Sequence, residues 1–246
     1  DNTGTGRDTV LVLSRVSSTV MALQAPARYV QSGADYIIKR SFNTLQAWED
    51  ARQDDLVTQR VIEKGACYND GNFTAYLDIA GSTTDASSYL WLTAAQGQMH
   101  TGKDGTGVKV RTTTTNSTIT VSNDYTRVSG LIVEMASSYD YHGLYCTGIG
   151  IVINDNIVFR SNGATNKGSG IRLYHNNTYS NVAYNNIIYG KDGNTWQNGL
   201  RLSRAYGYNN VVYHCENGVY VYGAGTGIAK NNISVYNTAD YAGDGF

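Results

Sequence analysis

The sequence predicts an all-β protein, a right-handed parallel β-helix, on three observations. A four-residue phrase recurs as Asn156-Ile157-Val158-Phe159, Asn186-Ile187-Ile188-Tyr189, Asn210-Val211-Val212-Tyr213 and, weakened, Asn232-Ile233-Ser234-Val235, at intervals of 30, 24 and 22 residues. A second phrase interleaves with it, as Gly150-Ile151-Val152-Ile153, Gly170-Ile171-Arg172-Leu173, Gly199-Leu200-Arg201-Leu202 and Gly218-Val219-Tyr220-Val221. The composition, with 27 Gly, 20 Tyr, one Pro and only 16% charged residues, suits short strands joined by tight turns. A strand of four residues cannot bury an apolar face alone, so a recurring pair of them stacks on its own copies. A propeller blade would need a period of roughly 40–50 residues, longer than the one seen.

Charge and composition exclude several classes. The net charge of −1 offers no basic stripe for nucleic acid. No apolar run is long enough to span a membrane, and no signal peptide is visible. Cys67, Cys146 and Cys215 are odd in number and lack metal-ligand or CxxC spacing, so they read as small buried hydrophobes, and no metal or cofactor is assigned. The start at Asp1 and the end at Gly-Asp-Gly-Phe suggest a processed or partial chain.

Residues 1–40 lack the repeat phrases and form a small β segment or arm, with strands expected at Thr9–Leu13, Ser18–Leu23 and Arg28–Gln31. A helix follows over Asn43–Gln53, with Asn43 as cap, Gln46 three residues on, and Leu45, Trp48, Ala51 and Leu56 on its apolar face. Its task is to cover the open end of the first coil. The β-helix then occupies the rest of a 41–246 domain. Irregular coils run through Arg60–Glu63, Thr74–Ile79, Ser88–Thr93, Val108–Val110, Ile119–Ser122 and Arg127–Met135 before the regular repeat.

The run Phe42-Asn43-Thr44-Leu45-Gln46-Ala47-Trp48-Glu49-Asp50-Ala51, with Gly81-Ser82-Thr83-Thr84-Asp85, Thr93-Ala94-Ala95, His100-Thr101-Gly102 and Gly105-Thr106-Gly107-Val108, resembles a family of right-handed parallel β-helix proteins of bacteriophage, prophage and bacterial genomes. The resemblance implies a helix-capped β-helix and a virion-associated role as fibre, spike or capsid-surface protein. It brings no catalytic residue to this chain.

Within the repeat, inward Ile171 and Leu173 turn Arg172 outward, and the same alternation places Arg201 and Tyr220 in its column, with Val152 at the head. Two guanidiniums on successive strands repel unless an anion lies between them, so a sulfate, phosphate or uronate carboxylate is one reading of Arg172 and Arg201. Solvated arginines stacked on Tyr220, or paired with Asp192 and Glu216, are the other. His175, Asp155 and Glu216 complete the weak catalytic candidates. Acids such as Asp140, Asp155 and Glu216 fall at no matching coil positions, as a lyase or glycosidase would require.

The Asn156, Asn186, Asn210 and Asn232 series, each preceded by Asp or Asn, reads as an amide ladder at a sharp bend. Phe159, Tyr189 and Tyr213 read as an internal aromatic stack, which turns Val158, Ile188 and Val212 outward, to be covered by a loop or to meet another subunit. Tyr174, Tyr206, Tyr208, Tyr220 and Tyr222 are the remaining contact candidates, suited to sugar rings or protein partners. The favoured function is a non-enzymatic structural or surface-recognition protein of a virion or the extracellular space, acting in a homo-oligomer such as a trimer or in a larger assembly. A secreted polysaccharide lyase or glycoside hydrolase, and a glycan-binding adhesin, are the alternatives.

Overall fold

The computed structural model describes residues 12–15, 21–23, 41–162, 168–174, 180–223 and 227–243. Residues 1–41 and 42–246 form two separate compact units. In the first, Val12–Arg15 pairs antiparallel with Met21–Leu23, overlapping two expected strands. The third expected strand, Arg28–Gln31, lies outside the described residues.

The second unit is a parallel β-solenoid of about seven turns, built from three stacked sheets. Sheet 1 holds Glu63–Cys67, Leu90–Ala94, Arg127–Ser129, Val152–Asn154, Asn181–Tyr184, Ala205–Tyr208 and Ile228–Lys230. Sheet 2 holds Lys109–Thr112, Ile132–Met135, Ile157–Arg160, Ile187–Gly190, Val211–Tyr213 and Ile233–Val235. Sheet 3 holds Leu77–Ile79, Ile119–Val121, Leu144–Cys146, Ser169–Tyr174, Asn198–Ser203, Asn217–Val221 and Ala239–Gly243. Each coil thus carries three strands, where the sequence shows two phrases. Gly150–Ile153 belongs to sheet 1, whereas the phrases opening on Gly170, Gly199 and Gly218 belong to sheet 3.

The Asn phrase folds as expected at the bend between sheets 1 and 2. Asp155, Asn185, Asn209 and Asn231 are all left-handed, with φ of 54–56°, a conformation that Asn and Asp tolerate best among non-glycine residues. The next residue in each coil turns its amide inward. Asn156 Nδ2 donates to Asn186 Oδ1 at 3.1 Å, Asn186 to Asn210 at 2.9 Å and Asn210 to Asn232 at 2.9 Å. The same oxygens accept the backbone N–H of the preceding coil's Asn, and the amides also donate to backbone carbonyls. Asn156, Asn186 and Asn210 are fully buried, and their amides are satisfied, as burial requires, while Asn232 ends the ladder part-exposed.

The phase of sheet 2 is opposite to the expectation. Val158, Ile188 and Val212 are fully buried in the main core, while Ile157, Phe159, Tyr189 and Tyr213 form a separate cluster on the outward face. The neighbouring sheet explains why the inward column is made of these residues. Val158, Ile188 and Val212 press on Gly143, Gly170 and Gly199, where an added Cβ would come within 3.0 Å of them. The glycine that opens each sheet 3 phrase is thus the hole into which sheet 2 packs.

Helix α1 spans Leu45–Arg52, with Thr44 rather than Asn43 as N-cap: the Thr44 hydroxyl accepts from the Ala47 N–H at 3.0 Å. Leu45 and Trp48 are buried, whereas Ala51 is exposed. Leu56 is buried from α2, Leu56–Gln59, a short helix that the pattern did not separate and that Asp55 caps. The covering role is visible in hydrogen bonds to the edge strand of sheet 3. Gln46 donates to the Asp78 carbonyl and accepts from its N–H, at 3.1 and 2.9 Å, and Glu49 accepts from Ala80 N at 3.1 Å. Side chains of α1 thereby occupy backbone groups that another strand would otherwise take. Among the irregular coils, Arg127–Met135 is two strands, divided at Gly130, whose φ is 71°.

Candidate recognition face

Alternation along sheet 3 aims Ile171, Leu173, Leu200, Leu202, Val219 and Val221 into the core and their neighbours out. Parallel register stacks these neighbours into a column, Tyr145, Arg172, Arg201 and Tyr220. The column continues back through Thr120 and Asp78 on the preceding strands and does not include Val152, which pairs with Arg127 and Val182 in sheet 1. A second column, two residues on, begins at Tyr174 opposite Ser203, and Tyr222 follows the Tyr220 position.

The side chains of the two columns interlock. The Arg172 guanidinium lies 5.0 Å from the Tyr145 ring centroid and 5.4 Å from Tyr174. Arg201 lies 5.6 Å from Tyr220 and 4.5 Å from Tyr222. The rings hold each guanidinium by cation–π attraction, which strengthens as water is excluded. No described carboxylate forms an ion pair with either arginine. Burial, then the charge of Arg172, pulls the Arg201 pKa below its ordinary value, and the only groups opposing this are tyrosines.

His142, which the sequence pattern did not single out, closes the inner edge of this face. It stands 5.1 Å from the Tyr145 ring, and its Nδ1 accepts the Ser169 backbone N–H at 2.8 Å. Its Nε2 is 3.2 Å from Arg172 Nη1. Burial, followed by the charges of Arg172, Arg201 and Arg160, pulls its pKa down to about 3, so the ring is neutral at physiological pH. Arg160 itself is fully buried against Trp196, donating to the carbonyls of Asn162, Ser137 and Tyr139. Only the register of a coil built by residues far apart in sequence brings His142 and Arg172 together; no spacing rule would have found the pair.

The other candidates lie elsewhere. Asp155 occupies the bend between sheets 1 and 2, where its carboxylate accepts from Asn154 Nδ2 at 2.5 Å and its carbonyl meets His100 Nε2 at 2.8 Å. Glu216 sits at the corner before Asn217, its backbone bonded to Trp196 and Ala239. His175 lies outside the described residues. Tyr206 and Tyr208 belong to sheet 1, with rings 5.8 Å apart, so the tyrosine candidates divide between two faces. Among the described residues, no group of three or more His, Cys, Asp or Glu could hold a metal ion, and no helix is long and apolar enough to cross a membrane.

Fold and site together define a β-solenoid with a cationic, tyrosine-framed face on one sheet. No protein-family model, curated protein or solved structure matches the chain.

Proposed function

We propose that this chain is a non-enzymatic surface-recognition protein of a virion or another extracellular assembly, and that it engages its target along the outward face of sheet 3. One observation carries the reading: Arg172 and Arg201 stand on adjacent strands with no ion pair to a carboxylate among the described residues, each held by two tyrosine rings. Keeping two like charges at neighbouring register positions costs stability, and a fold needs no such pair to close. Rigid aromatic rings beside fixed cations give a contact surface at small entropic cost. Asp155 and Glu216 stand at corners, away from this column, so these two candidates do not supply the paired acids that a glycosidase would need on this face. The virion assignment rests on the resemblance of the 42–108 region.

The test is a panel of neutral and acidic glycans, scored for binding and for released products in parallel. Binding without turnover supports the reading. Product release abolished by Arg201→Ala would replace it with a lyase or hydrolase. Labelling of the particle exterior by an antibody to this chain tests the location independently.

A further inference from the structure

We infer that His142, Arg172 and Arg201 form an oxyanion site, with His142 as its third hydrogen-bond donor, and that the ligand is the carboxylate or sulfate of an acidic polysaccharide. This deepens the recognition reading above and rests on it.

The argument begins with the proton on His142. A neutral imidazole has one N–H and one acceptor nitrogen. Nδ1 is the acceptor, because the Ser169 backbone N–H points at it from 2.8 Å. The proton therefore sits on Nε2. The 3.2 Å approach of Arg172 Nη1 to that nitrogen is then donor against donor, since a guanidinium has no lone pair to offer. Arg172 Nε is a second unsatisfied donor, buried and without a partner. Arg201 adds a further donor group one strand away, again with no ion pair to a carboxylate among the described residues.

Buried donors without acceptors are costly, and such a convergence is rare in a relaxed core. An anion beside the Arg172 guanidinium resolves it, accepting from Nε2–H and both arginines in charge-assisted bonds. The neutral ring contributes direction without adding a third charge. Tyr145, Tyr174, Tyr220 and Tyr222 flank the site as stacking surfaces for the ring that carries the anionic group. The column runs along the solenoid axis at roughly 4.8 Å per strand, so a polymer laid along it meets donors and rings at regular steps. A small free anion would use the donors and need the tyrosines only to hold the arginines, whereas a sugar ring also uses them as a surface, so the platform favours a polymeric sugar.

The test combines calorimetry with nitrogen NMR on the intact chain. Oligogalacturonate supplies the carboxylate, dextran sulfate the sulfate, and plain dextran the uncharged control. At least one anionic probe binds, with affinity falling as salt rises, and Arg201→Gln weakens it about tenfold or more. Arg172→Gln does the same, while Arg201→Lys, a point charge without the fork, recovers only part. Whichever anionic probe binds identifies the source of the oxyanion. His142 shows its proton on Nε2 before addition and a raised pKa after it.

Failure of both anionic probes, binding indifferent to both arginine substitutions, or a proton found on Nδ1 each overturns the site. If uncharged dextran binds while the anionic probes gain nothing over it, the oxyanion site falls and the recognition reading survives. If no glycan in either experiment binds, both fall.

Discussion

Sheets 2 and 3 present outward columns built by the same parallel stacking, yet they treat charge in opposite ways. On sheet 2, Phe159, Tyr189 and Tyr213 stack with centroids 5.2 and 5.0 Å apart, the second pair only 1° from parallel. Lys109 and Lys191 lie over the Phe159 ring, at 5.4 and 5.3 Å, and each has an acid partner. Glu134 takes Lys109 at 3.3 Å and Arg111 at 3.0 Å, while Asp104 pairs with Lys191. Asp104 comes from the 97–107 loop, which is also tied down by the bond between His100 and the Asp155 carbonyl. On sheet 3, Arg172 and Arg201 have tyrosines but no ion-paired acid among the described residues. The sheet 2 face has its charges matched within the fold, whereas the recognition proposed above rests on the cations of sheet 3.

The sharpest way to break this contrast is to remove an aromatic ring from each face. Tyr189→Ala opens a cavity in a covered stack and lowers stability by about 3 kcal/mol, whereas Tyr222→Ala, on a side chain 43% exposed, changes it by less than about 0.5 kcal/mol. Urea midpoints measure both, and equal losses would end the distinction.

Charge removal is the next probe. Glu134→Gln strands Lys109 and Arg111 against a buried acceptor position and costs about 2 kcal/mol in the same assay, below the value for a fully buried pair because both cations reach solvent.

Acid should act on the same network. Burial alone would raise the Glu134 pKa, but the Ser161 hydroxyl, Arg111 and Lys109 outweigh it and hold the carboxyl below its ordinary 4.5. Asp104 is held below 3.8, first by its bond to Lys191. A depressed folded pKa gives stability that is present above the unfolded value and lost as pH falls through the folded one. Glu49 works in reverse, since burial lifts its pKa and its contribution declines as pH rises through the folded value. The stability gap between the native protein and Glu134→Gln therefore narrows as pH drops from 7 to below 4.5, and a constant gap in melting curves would contradict this.

The smallest effect falls on sheet 3. Arg201→Gln removes a like-charge neighbour of Arg172 and leaves stability unchanged or higher by about 0.5 kcal/mol. A clear loss would mean that the arginines serve the scaffold after all.

Much of this architecture was readable from residue order. The Asn phrase carries its own bend, because the residue before each Asn adopts the left-handed conformation and the amide then stacks on its copy in the next coil. The alternation of Ile171-Arg172-Leu173 likewise fixes which side chains of sheet 3 leave the core. Sheet 2 resisted the same logic. Ile187-Ile188 and Val211-Val212 are apolar on both faces, and a two-residue period has no phase when both faces are buried. The third strand of each coil, as in Asn181-Val182-Ala183-Tyr184, varies from copy to copy, and its Gly150–Ile153 member merges with the sheet 3 phrase in the sequence pattern.

The sequence by itself determined a stacked coil, its bends, its helical cap and the outward arginines of one sheet, because each follows from local backbone preference and side-chain alternation. The tertiary structure alone decided that Val158, Ile188 and Val212 fill the glycine holes of the neighbouring sheet, and that the aromatic column lies outside under a charged loop. It alone set His142 against Arg172, since that contact depends on the register between strands 27 residues apart, as from Tyr145 to Arg172, which no local preference encodes.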